Sequence, residues 1–166
     1  MNNQSLEATE FVWHYTKMEF LPSIAKYGAL IPKSEADLYQ AAAVRGGLVS
    51  QVPFIWFSSD QNWEPLCTQL GGGMAEKSKT WQQWAYTHNA IRFGISPLDK
   101  RLLNWEKTCK AGGANREERR LRAKLAEKAK KFGSDATKWL TSTEEIPLNN
   151  LRFQMWFDNK WTDDEL

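Results

Sequence analysis

Apolar side chains recur at every second position near the carboxyl end of the chain, and this alternation is the strongest constraint on how the chain can fold. Residues 151–157 place four apolar side chains on one face: Leu151, Phe153, Met155 and Phe157. Asp158 and Asn159 then turn the chain, so the pattern predicts a β-hairpin with one face in the core. Gln154 lies on the opposite face of this hairpin, where a cleft could use it.

Two earlier stretches also predict buried strands. Residues 90–95 alternate, with Arg92 as the one charged side chain on the face away from the apolar set. Arg92 could contact a phosphate there, or it could be a surface arginine paired with a carboxylate. Residues 53–59 are a continuous apolar run that ends in Ser58 and Ser59. This run predicts a strand covered on both faces, with a polar end at a cleft.

A strand followed by a helix is predicted at the start of the chain. Residues 11–13 form a short β run. Thr16 and Glu19 have the T-x-x-E spacing of a capping box, which predicts a helical turn that begins at Lys17. Pro22 suits the first turn of a second short helix. Gly28 can take the left-handed conformation that ends it.

Two polar side chains in this segment are candidates for ligand binding. His14 and Thr16 are two residues apart at the end of a strand, so they point to the same side and can both hydrogen-bond the hydroxyls of one ribose. The alternative is structural: His14 would be a core histidine bonded to a carbonyl, and Thr16 would only cap a helix. The residues alone leave both interpretations open.

Three segments in the middle of the chain are candidates for helices. Ser34 is a plausible cap for a helix over residues 36–43. A second helix is predicted over residues 63–70, and Pro65 fits its first turn. Four preceding polar side chains could cap it: Ser58, Ser59, Asp60 and Asn62. Residues 74–87 could be a helix or a loose aromatic loop.

A basic helix is predicted late in the chain. Residues 107–131 contain ten Lys or Arg against three Glu. Asn115 and Glu118 form a cap pair, Gly133 can end the helix, and one apolar stripe would pack on the domain: Leu121, Leu125, Ala129 and Phe132. The remaining faces are either a solvated basic surface or a surface that follows phosphates, since clustered Lys and Arg supply the sequence-independent part of nucleic-acid affinity.

Length and composition indicate one ordinary globular domain over residues 1–166, with 42% hydrophobic and 25% charged residues. Nine tryptophans hint at ligand binding but serve equally well as core mass. The chain has no long apolar run and no signal-peptide pattern at its start, so we expect a cytoplasmic protein with no membrane partner. Cys67 and Cys109 lack metal-ligand spacing, which favours free thiols and implies no metal.

Several of these residues resemble motifs of the ADP-ribosyltransferase superfamily, in particular RNA 2′-phosphotransferases and DNA-modifying ADP-ribosyltransferase toxins. The first motif is carried by residues 14–16, 21–24 and 28–30, a second by residues 57–59, and the late catalytic strand by residues 153–156. Across most of its length the chain also resembles a group of small uncharacterised bacterial and phage proteins. That pattern consists of Trp56-Phe57-Ser58, Trp63-Glu64-Pro65, Arg92-Phe93-Gly94 and a final strand ending in Trp.

The resemblance implies an α+β fold with a split, mostly antiparallel β core, and NAD bound in a bent form between two small sheets. It also implies roles for individual residues. His14 and Thr16 would hold the adenosine-side ribose, Tyr15 and Trp56 would lie near the nicotinamide, and Ser58 would brace the catalytic strand. NAD would then be the substrate, and the acceptor of ADP-ribose would be a nucleic acid or a protein.

Gln154 departs from the family pattern, which has a glutamate at the corresponding position. Cleavage of NAD develops positive charge on the ribose, and a carboxylate stabilises it where an amide does not. Three explanations are open: Glu64 supplies the carboxylate, the protein binds a nucleotide without turnover, or the sequence carries a deliberate Glu→Gln change.

Two functions follow from these alternatives. The first is an NAD-binding transferase with Gln154 or Glu64 as the catalytic group, disarmed if Glu64 does not act. The second is a non-catalytic factor of phage and bacterial conflict that grips a nucleotide, a nucleic acid or a host protein, with residues 107–131 as the basic contact surface.

Overall fold

The computed structural model of the chain describes residues 11–34, 52–70, 80–111 and 116–166. Within these ranges the fold is α+β. The strands are β1 (Val12–Lys17), β2 (Ala29–Leu30), β3 (Ile55–Ser58), β4 (Ala90–Ile95), β5 (Leu103–Asn104), β6 (Trp139–Ser142), β7 (Ile146–Pro147), β8 (Arg152–Phe157) and β9 (Lys160–Asp163). The helices are α1 (Leu21–Tyr27), α2 (Pro65–Leu70), α3 (Trp81–Thr87), α4 (Trp105–Ala111) and α5 (Arg116–Lys131).

The strands form a sheet of seven, in the order β5-β6-β3-β1-β4-β8-β9, and a separate pair, β2-β7. Neighbouring strands run antiparallel, which confirms the mostly antiparallel α+β class. Strands β1 and β4 lie side by side over six residue pairs, whereas β1 meets β3 at the single pair Trp13 and Ser58. The specific ADP-ribosyltransferase-like arrangement of this core stays a prediction.

The strands predicted from the alternating stretches and from the continuous apolar run are confirmed. Ala90–Ile95 is β4 and is buried along its whole length, and the apolar run that ends in Ser58 is β3. The hairpin β8-β9 turns at Asp158 and Asn159, which have φ values of 49° and 57°. Positive φ at both central residues is the geometry of the two-residue hairpin turn that matches strand twist, and Asn and Asp tolerate it better than most residues.

One face of the large sheet carries the aliphatic core. Its buried members are Val12, Leu30, Ile55, Phe57, Ile91, Phe93, Ile95, Ile146 and Phe153. Leu21 and Ile24 of α1 pack against this cluster. The helix ends at Gly28, whose φ of 69° is the left-handed conformation that the sequence predicts there.

The opposite face carries the tryptophans. Two aromatic clusters cover it, one under α2 and α3 and one against α5, and they contain Trp56, Trp63, Trp81, Trp84, Trp105, Trp139, Trp156 and Trp161. Trp13 projects from β1 on the same side, since its ring centre lies 3.8 Å from the guanidinium carbon of Arg92 on β4. The tryptophans therefore serve chiefly as core mass on this face.

The predicted capping box at the end of β1 is wrong. The strand continues to Lys17, which pairs with Ala90, and a 3-10 turn follows at Met18–Phe20 without a side-chain cap. Thr16 is therefore a strand residue opposite Ile91. The strand ladder to β4 fixes the backbone of Thr16 and Lys17, and this outweighs a local helix signal.

Within the basic stretch 107–131, residues 107–111 belong to α4, and the predicted basic helix is α5, over Arg116–Lys131. Phe132 is predicted in the buried stripe of α5 but is 38% exposed, and Glu118 and Arg122 are buried in that face instead. These two side chains form an ion pair at 3.3 Å, which offsets part of the cost of burying two charges. Asn115 lies outside the described residues.

Other expectations fall partly outside the described chain. The helix predicted over residues 36–43 lies outside the described residues, and so do residues 74–79 of the segment 74–87. The described part of that segment contains the helix α3. Thr80 caps α3 through a capping box with Gln83. In the described ranges, no helix has the length and apolarity needed to cross a membrane.

Candidate functional site

Four polar side chains form a row across the tryptophan-bearing face. The strand registers pair Tyr15 with Arg92, Arg92 with Gln154, and Gln154 with Asp163, on β1, β4, β8 and β9 in turn. Side chains directly opposite one another in antiparallel strands project to the same face. The row therefore brings together three predicted site residues, Tyr15, Arg92 and Gln154, and adds Asp163.

Arg92 is the centre of this row and is only 6% exposed. Its Nε and Nη2 atoms donate to Oε1 of Gln154 at 2.8 Å and 2.6 Å. The guanidinium carbon lies 3.8 Å from the ring centre of Trp13 and 4.4 Å from that of Trp161. The surface interpretation of Arg92 is therefore wrong, and its guanidinium is a stacked, hydrogen-bonded part of the core. Burial lowers the pKa of Arg92 to about 10, so it stays charged near neutral pH.

Gln154 uses both ends of its amide. Its Oε1 accepts from Arg92, and its Nε2 donates to Oδ1 of Asp163 at 3.0 Å. Asp163 also receives two hydrogen bonds from Arg152, each at 2.6 Å. Hydrogen bonding from Arg152 is the main reason that the pKa of Asp163 falls to about 2. The amide of Gln154 thus joins a buried cation to a carboxylate, as an acceptor toward one and a donor toward the other.

The same face holds the loop that follows β3. Three consecutive backbone carbonyls of this loop accept side-chain donors: Asp60 from the Tyr15 hydroxyl, Gln61 from Nη1 of Arg92, and Asn62 from the Trp161 indole. Burial raises the pKa of Tyr15, so its hydroxyl stays protonated and remains a donor. Tyr15 and Arg92 therefore fasten a loop to the sheet.

Sequence reasoning missed the other members of this group. Asp163 could have been found from hairpin geometry, because a two-residue turn at Asp158 and Asn159 places residue 163 opposite Gln154. No local pattern marks Trp161 or Trp13 as a stacking partner of Arg92. Gln61 accepts from the Trp13 indole at 3.0 Å and sits in a loop that sequence alone identifies only as polar.

Glu64 and Ser58 form a second, separate group. Glu64 is 6% exposed, and its Oε2 accepts from the Ser58 hydroxyl at 2.9 Å and from the Trp139 indole at 3.0 Å. Its Oε1 accepts from the backbone N–H of Leu66 at 3.2 Å and from the hydroxyl of Ser134. Glu64 therefore caps α2, a role that the sequence assigns to Ser58, Ser59, Asp60 or Asn62.

His14 and Thr16 lie on the other face of β1. Residues alternate along the strand, so His14 and Thr16 point away from Tyr15, and the His14 ring lies 5.9 Å from Phe57 of the aliphatic core. Nδ1 of His14 bonds the carbonyl of Trp56 at 2.8 Å. A carbonyl only accepts, so Nδ1 carries the proton and Nε2 is an acceptor. Burial lowers the pKa of His14, which keeps the ring neutral.

The remaining predicted residues are apart from both polar groups. The Trp56 ring packs against Trp105 and Trp139, at 6.4 Å and 6.0 Å between ring centres. Ser59 is exposed, and its backbone N–H donates to the carbonyl of Lys138 at 2.9 Å. Trp56 is therefore a partly buried member of an aromatic cluster, and its predicted contact with nicotinamide stays a prediction.

The structure thus assembles two groups of predicted site residues and leaves His14 and Thr16 across the sheet from the first. Among the described residues, no three His, Cys, Asp or Glu side chains are close enough to hold a metal ion. Comparisons with protein-family models, with curated proteins and with solved structures find no match to this chain.

Proposed function

We propose that this chain is an ADP-ribosyltransferase-like protein that binds a nucleotide without cleaving it. The observation that carries the proposal is the position of Gln154 between Arg92 and Asp163, with both ends of its amide engaged. Gln154 is the residue that the resemblance aligns with the catalytic glutamate. A neutral, fully hydrogen-bonded side chain at that position orients its neighbours but cannot stabilise a developing positive charge.

The transition-state stabilisation lost by having an amide in place of a carboxylate at Gln154 argues against turnover. Loss of one preorganised electrostatic contact costs roughly 3 to 4 kcal/mol of transition-state stabilisation. That corresponds to about two to three decades in rate. Glu64 does not compensate, because its carboxylate already accepts four donors in a buried site on the same sheet face. Movement of Glu64 toward a substrate would leave those donors without an acceptor.

The surroundings of Gln154 also favour an amide over a carboxylate. A glutamate at this position could still accept from Arg92, but its second oxygen would face the carboxylate of Asp163, which now lies 3.0 Å from Nε2. Two carboxylates at that distance repel each other unless one binds a proton. The amide is therefore the side chain that suits both neighbours, which speaks against a deliberate Glu→Gln change.

The nucleotide-binding part of the proposal rests on His14 and Thr16. Both are half-buried, on one side of β1. The bond from Nδ1 of His14 to the Trp56 carbonyl leaves Nε2 as an acceptor of fixed orientation, and the Thr16 hydroxyl can donate or accept. Such a pair is suited to two adjacent ribose hydroxyls. NAD is the ligand that the resemblance implies, and transfer of ADP-ribose to nucleic acid or protein is the competing function.

Calorimetric titration with NAD, with nicotinamide release followed in the same samples, tests the proposal. We expect binding by the unmodified chain, no release, and loss of binding in His14→Ala. Gln154→Glu is titrated beside the unmodified chain, with Gln82→Glu on the exposed surface of α3 as its matched control. Release in Gln154→Glu but not in the control would show that Gln154 is what prevents turnover. Release by the unmodified chain would establish a transferase instead. No heat at millimolar NAD, from a chain that is folded by circular dichroism, would remove NAD as the ligand.

A further inference from the structure

A line of exposed cations runs along α5. Arg116, Arg120, Lys124 and Lys128 recur every four residues, and all four side chains are exposed. Residues four apart in a helix lie on the same side, and each step advances about 6 Å along the axis, so the line is about 18 Å long. We refer to these four residues as the α5 cation row.

The α5 cation row is not neutralised within the described part of the chain. The ion pairs of α5 involve other residues: Arg122 with Glu118, and Lys131 with Glu127, each at 3.3 Å. Among the described residues these four cations form no ion pair, and the exposed carboxylates Glu117 and Glu127 on the same side of α5 reduce their positive charge without cancelling it. The four cations are a strong local attraction for an anion in a chain whose net charge is only +2.

The helix that carries the row is fixed to the domain. Leu125 and Ala129, on its other side, pack with Leu66 and Trp139. At its end, the backbone N–H of Ser134 donates to the carbonyl of Ala129 at 3.0 Å, and the Ser134 hydroxyl donates to buried Glu64. The backbone of α5 is thus held before any partner arrives, so less conformational freedom is lost on binding.

We propose that the α5 cation row is a docking surface for the phosphate backbone of a nucleic acid. The row winds through about 120° around the helix over its length. Regularly spaced cations on an anchored helix complement a polymer of regularly spaced phosphates, and cations on a fixed backbone position such a polymer without reading its sequence. The inference stands on the charges of α5 and holds whether or not His14 and Thr16 bind a nucleotide.

The same features argue against an anionic membrane as the occupant. A helix that lies in a membrane surface exposes an apolar face beside its basic one. In α5 the apolar side chains that could form such a face, Leu125 and Ala129, are packed inside the domain. Beside the row, Ala123 is exposed and Leu121 is half-buried, and Phe132 is 38% exposed just after the helix ends. One methyl group and one ring do not form the continuous apolar face of a membrane-surface helix.

Fluorescence anisotropy of a short labelled DNA duplex and of a labelled single-stranded RNA, titrated with the full chain over a salt series, tests the proposal. The variant combines Arg120→Gln, Lys124→Gln and Lys128→Gln. The matched control removes three exposed lysines elsewhere with Lys26→Gln, Lys100→Gln and Lys160→Gln. Both variants carry the same net charge, so any difference between them reports position and not total charge.

We expect the α5 variant to bind at least about tenfold more weakly than the control for one or both probes. The slope of log affinity against log salt should fall by roughly 0.7 to 0.9 for each phosphate that the variant no longer neutralises. Equal weakening in the two variants, or unchanged affinity in the α5 variant, would overturn the proposal. So would binding of the unmodified chain to phosphatidylserine vesicles and to neither nucleic acid. Melting temperatures of both variants check the fold, and NAD titration of the α5 variant tests the nucleotide site separately.

Discussion

The guanidinium of Arg92 and the amide of Gln154 meet across neighbouring strands through two hydrogen bonds, at 2.8 Å from Nε and 2.6 Å from Nη2. The strand pattern suggests a phosphate contact for Arg92, and the resemblance to ADP-ribosyltransferases aligns Gln154 with the catalytic glutamate. In the structure they satisfy each other beneath the aromatic rings of Trp13 and Trp161. The polar row therefore stabilises the fold, and substitutions in it should lower the free energy of unfolding.

Arg92→Met should lower the free energy of unfolding by about 2 to 4 kcal/mol, because Gln154 and the Gln61 carbonyl lose a charged donor. Urea unfolding followed by circular dichroism measures the change. Arg152→Met is the control, since its side chain is 42% exposed and its ion pair is with the exposed Asp163. We expect less than about 1 kcal/mol there. Equal losses in the two variants would contradict a special role for Arg92.

Glu64→Gln should destabilise the chain by about 2 to 4 kcal/mol. The substituted amide offers one oxygen where the carboxylate offers two, and its NH₂ group faces hydroxyl, indole and backbone donors. Chemical unfolding measures the loss. Glu106→Gln on the exposed surface of α4, where the carboxylate pairs with Lys110, should leave stability nearly unchanged. If Glu64 were free for catalysis, its substitution would be as mild as the control.

The neutral state of His14 should make stability depend on pH. Burial lowers the pKa of the folded side chain below its ordinary value of 6.5. The unfolded chain then binds a proton first as the pH falls, so the contribution of His14 is complete above 6.5 and declines on acidification toward the folded pKa. Thermal unfolding across this window, with His14→Gln beside the unmodified chain, measures it. The His14→Gln variant should show a shallower decline, and parallel curves would refute the assignment.

Gly94→Ala should disturb the stacking on Arg92. A Cβ at this position would lie 2.6 Å from the ring of Trp13, which is closer than side-chain atoms normally approach. The ring would have to move off the guanidinium, and we expect a loss of about 1 to 3 kcal/mol. In a chain that already carries Trp13→Leu this clash is absent, so Gly94→Ala should cost less there than in the unmodified chain. A double-mutant cycle from urea unfolding tests this coupling, and strict additivity would argue against the contact.

The strands could be predicted because their signal is local. Alternation identifies β4 and β8, and the Asp158-Asn159 pair identifies the turn that sets the register of β8 and β9. The capping box at Thr16 fails for a complementary reason. Its T-x-x-E spacing is also local, but the partner of Thr16 is Ile91 on β4, and the strand ladder decides the backbone conformation.

The candidate site could be predicted only in part, because its contacts join distant residues. Ser134 and Trp139, which saturate Glu64, lie 70 and 75 residues from it in the sequence. Arg92 is buried because of Trp13 and Trp161, which arrive from the two ends of the described chain. Composition counts these tryptophans but cannot tell which of them covers a cation. The identity of a polar residue is thus easier to anticipate than its partner.

The hairpin β8-β9 has a consequence for the order in which the molecule can be completed during synthesis. Strands β1, β3 and β4 leave the ribosome first, with Arg92 among them, whereas Gln154 and Trp161 are made some sixty to seventy residues later. Until they emerge, the guanidinium lacks the Gln154 acceptor and one of its two covering rings. Domains fold as units once their sequence is available, and an incomplete sheet exposes unpaired strand edges. The nascent chain therefore depends on β8 and β9 to close the tryptophan-bearing face, and until they emerge the edge of β4 stays unpaired.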